Sequence, residues 1–323
     1  MGDVNDNSEV EPKMSQLNVF VFPGQGSQQV GMLAELSVEN PIIEATFAEA
    51  SAVLGYDLWA LVQSGPAEDL NQTDRTQPAL LCAGVALWRL WLEKGGEQPV
   101  VMAGHSLGEY TALVCAQSLA FTDAIDLVRL RGEYMQQAVP AGTGAMAAIL
   151  GLADDLVEEA CKEAEQGQVV AAVNYNCPGQ VVIAGEKDGV ARAIEKCKEK
   201  GAKRAIELPV SVPSHCELMR SASLKLATKL QTITMAMPSI AVVQNVTAEQ
   251  AKSVAEIKDN LIAQLYSPVL WTTSMQGILE TGVERSVECG PGKVLSGLNK
   301  KINKALVINN LTDAAGWEKA LAE

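Results

Sequence analysis

Short apolar runs alternate with long stretches of helical period along most of this chain. Residues 18–22, 99–103, 240–244, 285–288 and 305–308 read as strands, and segments such as 77–94 and 122–138 between them repeat apolar residues at helical spacing. Strands separated by helices predict a parallel α/β sheet. The first two runs each end in a glycine-containing turn, and residues 285–288 lead into Gly290-Pro291-Gly292. Open α/β sheets bind ligands beyond the carboxyl ends of their strands, so these three turns are where a site is sought.

The pattern changes after residue 140. A strand at 145–152, a helix at 154–165, strands at 169–176 and 180–185, a helix at 187–200 and a strand at 202–210 give the order βαββαβ, a ferredoxin-like unit. The Pro140–Gly144 turn and the stretch between Pro209 and Pro213 read as the two crossings of an inserted subdomain. The expected organisation is therefore a large subdomain from residues 17–139 and 213–323, and a small one from 140–212. Residues 1–16, with Asp3, Asp6, Glu9 and Glu11, read as a disordered acidic extension.

Composition narrows the chemistry. A 323-residue chain that is 48% apolar buries a full core, and it has neither a membrane-length apolar run nor a secretory or transit segment, so a cytoplasmic protein is expected. The formal charge of −14 opposes binding to nucleic acid. An acidic protein partner would need a local basic patch, for which Lys196, Lys198, Lys200, Lys203 and Arg204, or Lys293, Lys300, Lys301 and Lys304, are candidates beside the plainer reading of solvated helix faces. Seven cysteines without a CxxC pair suit a reducing compartment, and two histidines without HExxH make metal-free chemistry the expectation.

Gly104-His105-Ser106-Leu107-Gly108 lies between the run at 99–103 and a helical stretch at 107–117, the strand-turn-helix context of a nucleophile elbow. The same glycines also suit an ordinary strand-to-helix turn. A serine needs a base, and of the two histidines His105 would point away across the turn, whereas His215 begins the segment returning from the insert. A helix-start histidine is otherwise a structural residue. Arg131 falls on the apolar face of the helix at 122–138 with Leu127, Val128 and Met135, while Arg129 shares the polar face with Asp126 and Glu133. A buried guanidinium requires either a protein carboxylate or a substrate anion. The turn at Pro23–Gln28 presents backbone N–H groups, but Gln29 breaks the dinucleotide fingerprint and Val294 breaks the P-loop.

From residue 17 to the C-terminus the chain resembles the malonyl-CoA:acyl-carrier-protein transacylases of bacterial-type fatty acid synthesis. The resemblance rests on Val21-Phe22-Pro23-Gly24-Gln25-Gly26-Ser27-Gln28, Thr76-Gln77-Pro78-Ala79, Gly104-His105-Ser106-Leu107-Gly108-Glu109-Tyr110, Arg129-Leu130-Arg131-Gly132, Asn174-Tyr175-Asn176, Val212-Pro213-Ser214-His215, Gln264-Leu265-Tyr266 and Glu288-Cys289-Gly290-Pro291-Gly292-Lys293. It implies an α/β-hydrolase-like large subdomain with an inserted ferredoxin-like small one. It further implies Ser106 as nucleophile, His215 as base, the backbone N–H groups of Gln25 and Leu107 as oxyanion hole, and the Gln264 carbonyl as the group orienting His215. Arg131 would hold the malonyl carboxylate, and Gln77 and Asn176 would lie near the acyl group or pantetheine arm. Malonyl-CoA and acyl carrier protein are the implied partners, with coenzyme A thioester as substrate, no bound cofactor and a monomeric enzyme. A serine hydrolase with the same elbow, a loader of neutral acyl groups and a noncatalytic carrier-protein binder are the alternatives. The first would normally add an Asp or Glu between serine and histidine, and the second would leave Arg131 unpaired.

Overall fold

The computed structural model describes residues 17–210 and 212–322; the acidic extension expected at residues 1–16 lies outside them. Two sheets organise the chain. The first is parallel, with strands β1 (Asn18–Phe22), β2 (Val101–Gly104), β7 (Ala241–Val243), β8 (Arg285–Glu288) and β9 (Val307–Asn310) in the order β7-β2-β1-β8-β9. β1 is its centre, pairing Val21 with Ala103 of β2 on one side and with Glu288 of β8 on the other. Its alternation is buried on both faces: Phe20 and Phe22 enter one apolar cluster, and Val19 and Val21 another. A strand covered by helices on both sides is apolar along its length, which is why 19–22 form a continuous apolar run after Asn18.

The second sheet is antiparallel, with β3 (Gly144–Leu150), β4 (Val170–Cys177), β5 (Gln180–Glu186) and β6 (Arg204–Glu207) in the order β4-β5-β3-β6. Helices Asp154–Ala164 and Lys187–Glu199 cover one face over a separate core of small and β-branched side chains. This is the ferredoxin-like arrangement. β4 also reaches the large subdomain: Tyr175 donates its N–H to the Val269 carbonyl at 3.0 Å, and Val269 returns one to the Val173 carbonyl at 2.8 Å.

Element boundaries differ from the sequence reading by a few residues. The helix read at 77–94 runs Thr73–Glu93 with Pro78 inside it. Pro78 forfeits only the bond to the carbonyl four residues earlier, near the helix start, where the Thr76 hydroxyl donates to the Leu70 carbonyl at 2.5 Å to secure the first turn. The strand read at 202–210 is regular only over Arg204–Glu207. Beyond it Leu208 keeps one more ladder bond, to Met146, before Pro209 removes a donor.

Candidate active site

The chain order within the parallel sheet reverses at β1, and the carboxyl ends of β1 and β2 open there into the turns at Pro23–Gln28 and His105–Ser106. Ser106 stands between β2 and the helix Leu107–Cys115 with φ 52° and ψ −108°, a conformation that costs a non-glycine residue energy and projects its side chain out of the turn. Gly108 makes the turn possible, because a Cβ there would lie 2.0 Å from the Phe22 carbonyl oxygen.

Ser106 Oγ lies 2.8 Å from His215 Nε2, and His215 Nδ1 lies 2.6 Å from the Gln264 carbonyl oxygen. A carbonyl only accepts, so Nδ1 carries the proton and the bare Nε2 faces the serine hydroxyl. Ser106 and His215 both line a cavity of about 190 Å³ formed from both subdomains. His215 is held from the end of a helix: its own N–H donates to the Leu265 carbonyl at 2.9 Å, just past the helix Val254–Gln264. The last carbonyls of a helix have no internal partner, and their dipole favours a cation when one forms. At rest, burial first and the Arg131 charge second push the His215 pKa down to about 3, so the imidazole is neutral. His105 turns away, 2.8 Å from Asn176 Oδ1 through its Nε2, with its ring 5.6 Å from that of Trp271.

Arg131 is 1% exposed and meets no carboxylate within ion-pair distance among the described residues. It donates to Gln77 Oε1 at 2.8 Å, to Gln264 Oε1 at 3.0 Å and to Ser106 Oγ at 3.3 Å, and its Nε–H has no acceptor. The helix Phe121–Ala138 presents it this deeply because Gly132 lets the helix close on the start of Thr73–Glu93, where a Cβ would meet the Thr73 carbonyl oxygen at 2.6 Å. Of the two partners left open by the sequence, no protein carboxylate takes Arg131 among the described residues, which leaves a buried guanidinium with an unspent donor beside the Ser106 hydroxyl.

Gln25, Gln77 and Leu107 line the cavity. The backbone N–H groups of Gln25 and Leu107 donate to no acceptor among the described residues. Asn176 is not among the cavity's lining residues: its side-chain Oδ1 lies 2.8 Å from His105 Nε2, and the strand shifts register on either side of the Asn174–Tyr175 pair, so the two asparagines do not share a face as plain alternation would have them. Asn174, two residues earlier, does line the cavity, with Oδ1 buried and unpartnered.

Three further residues escaped the sequence reading. Asn245, just past β7, accepts the Ser106 N–H at 2.7 Å and donates to the Gly104 carbonyl at 2.6 Å, bracing the elbow. Glu109 and Gln244 lie behind it, with Glu109 Oε2 accepting from the Asn245 N–H at 2.9 Å and Oε1 from Gln244 Nε2 at 3.2 Å. The available signal was position: Gln244-Asn245 ends a buried strand at the edge where the other site residues gather. Among the described residues no group of three or more His, Cys, Asp or Glu side chains is arranged to hold a metal ion, and no helix is long and apolar enough to cross a membrane.

Residues 19–311 match the family described as acyl transferase domain. A malonyl CoA-acyl carrier protein transacylase from Salmonella typhimurium is 58% identical over 304 residues, covering 94% of this chain and 98% of the relative. One from Bacillus subtilis is 47% identical, covering 94% and 95%. Among solved structures, a malonyl-transacylase in complex with its type II PKS acyl-carrier protein superposes with a TM-score of 0.94 at 56% identity, covering 95% of this chain and 99% of that one. An acyl carrier protein S-malonyltransferase from Vibrio cholerae gives 0.92 at 59% identity, covering 94% and 99%. With identity this high over nearly the full length of both chains, on top of a serine-histidine pair beside a buried unpaired arginine, the chain belongs to the malonyl CoA-acyl carrier protein transacylase family of acyltransferases.

Proposed function

We propose that this enzyme moves a malonyl group from malonyl-CoA to the phosphopantetheine thiol of acyl carrier protein in a ping-pong sequence through a malonyl ester on Ser106. The observation that carries the reading is Arg131, a buried guanidinium without a carboxylate partner, in hydrogen-bond reach of the nucleophile. In the first half-reaction His215 Nε2 takes the Ser106 hydroxyl proton as Oγ attacks the thioester carbonyl. The tetrahedral oxyanion is received by the backbone N–H groups of Gln25 and Leu107, and the imidazolium is stabilised by the carbonyls at the end of the Val254–Gln264 helix. Collapse breaks the C–S bond, and the coenzyme A sulfur leaves with the proton from His215.

In the second half-reaction the carrier protein's thiol gives its proton to His215 and attacks the ester, and Ser106 recovers the proton as it departs. Arg131 holds the malonyl carboxylate through both halves with its planar fork, a partner an acetyl group lacks. The Gln264 carbonyl does the work of the acid in a hydrolase triad by fixing the tautomer and orientation of His215. Every step is assigned to side chains and backbone, with coenzyme A entering only as substrate. The enzyme acts as a cytoplasmic monomer in fatty acid synthesis.

Intact-protein mass measurement after mixing with malonyl-CoA tests the reading. It predicts a malonyl adduct that is absent in Ser106→Ala and is discharged by carrier protein bearing its thiol arm. Steady release of free malonate with no adduct and no transfer would point to a hydrolase instead.

A further inference from the structure

Glu109 is 0% exposed and has no cation within ion-pair distance among the described residues. Its Oε2 accepts from Gln264 Nε2 at 2.8 Å as well as from the Asn245 N–H. A carboxylate accepts and never donates, so the Gln264 amide can meet it only through Nε2. That leaves Gln264 Oε1 on the opposite side, where it accepts from Arg131 at 3.0 Å. Turned over, the amide would set its N–H₂ against the guanidinium, donor against donor, and its oxygen against a carboxylate. The Ser106 carbonyl, which accepts from the same Nε2 at 3.0 Å, favours the same sense.

We infer that Glu109 is a positioning residue for acyl selectivity: by fixing the sense of the Gln264 side-chain amide it fixes the aim of Arg131 at the carboxylate of the incoming acyl group. The inference rests on the malonyl reading above. The same carboxylate also braces the elbow through Asn245, so a loss of overall rate alone would say nothing about aim. Selectivity separates the two. Misaiming Arg131 harms an acyl group that carries a carboxylate, whereas loosening the elbow harms every acyl group alike.

The test compares Glu109→Leu and Glu109→Gln in the full chain, measuring the rate of acyl-enzyme formation with malonyl-CoA and with acetyl-CoA. Glu109→Leu keeps the bulk and removes the acceptor, and its malonyl loading is expected to fall about tenfold further than its acetyl loading, with KM for malonyl-CoA rising more than kcat falls. Glu109→Gln can place its carbonyl oxygen where Oε2 stands, and is expected to recover malonyl selectivity to within about threefold of the parent. An equal loss for both acyl groups in Glu109→Leu, or a Glu109→Gln variant as unselective as Glu109→Leu, overturns the inference. Should Glu109→Leu not fold, Glu109→Asp keeps the charge and withdraws the carboxylate by one methylene; it must show the same skew toward acetyl, and an unchanged ratio overturns the inference. The parent enzyme's own malonyl adduct, run alongside, tests the parent reading separately.

Discussion

His215 Nδ1 is bound to the backbone carbonyl of Gln264, 2.6 Å away, where a hydrolase places a carboxylate. A neutral acceptor fixes the ring without adding a negative charge that would raise its basicity. Burial and the neighbouring Arg131 charge therefore act unopposed by any anion on that side, and hold the pKa at about 3 against an ordinary value of 6.5. The consequence is an imidazole that stays unprotonated in mild acid. Initial rates at pH 5.5, where an unperturbed histidine would be about 90% protonated, should retain most of the kcat/KM seen at neutral pH. An acid limb centred near 6.5 would contradict this. Stability moves the other way: the unfolded chain binds a proton near 6.5 that native His215 refuses until about 3, so this residue favours unfolding by up to about 1.4 kcal/mol per pH unit as pH falls through that window.

Arg131 offers a sharper test of selectivity. Arg131→Ala removes the one Lys or Arg side chain that lines the cavity among the described residues, and should cut kcat/KM for malonyl-CoA by roughly a hundredfold or more while leaving acetyl-CoA turnover near its low starting level. Arg131→Lys keeps a charge but loses the planar fork and its bonds to two amide oxygens at once, so an intermediate loss of about tenfold is expected. Equal losses for both thioesters would mean the guanidinium serves the serine and not the acyl carboxylate.

Two glycine substitutions should act in opposite directions on stability. Gly108→Ala puts a methyl 2.0 Å from the Phe22 carbonyl oxygen and 2.7 Å from its carbon, both backbone atoms of the central strand, and should destabilise by several kcal/mol or prevent folding. Gly277→Ala, exposed in the interior of the helix Trp271–Glu280 with nothing within 4 Å of the new Cβ, should stabilise by up to about 1 kcal/mol. Urea midpoints read both.

Asn176→Ala distinguishes support from substrate contact. Because its oxygen is committed to His105, the substitution should cost about 1 kcal/mol of stability with little change in KM for malonyl-CoA. Asn174→Ala, by contrast, removes a polar group facing the cavity and should raise KM. Steady-state kinetics on the two variants would show the reverse pattern if Asn176 touched the acyl group.

Much of this was legible in the sequence because it is written in local patterns. Asn18–Phe22 and Arg285–Glu288 are strands at the very residues read as strand-like runs. The apolar stripe of 122–138 put Arg131 inward, and the βαββαβ order of the insert follows from period alone. What stayed hidden depends on pairs distant in sequence. Glu109 belongs to the motif that carries the resemblance, but the motif assigns it no task, and only the packing of residues 244, 245 and 264 against it makes it a buried node. Asn174 and Asn176 flank one tyrosine on a strand with two register irregularities, so their alternation alone did not say which would face the cavity.

The pairing of β4 with Val269 bears on attempts to graft the small unit between relatives. Residues from both subdomains complete one another's backbone hydrogen bonds at this seam, and the Thr272 hydroxyl adds a bond to the Tyr175 carbonyl at 2.9 Å. A chimaera that exchanges only the contiguous insert would therefore transplant one half of a zipper. A swap intended to import another enzyme's acyl preference should carry the stretch around 269–272 with it, or it will misregister the roof of the cavity against its floor.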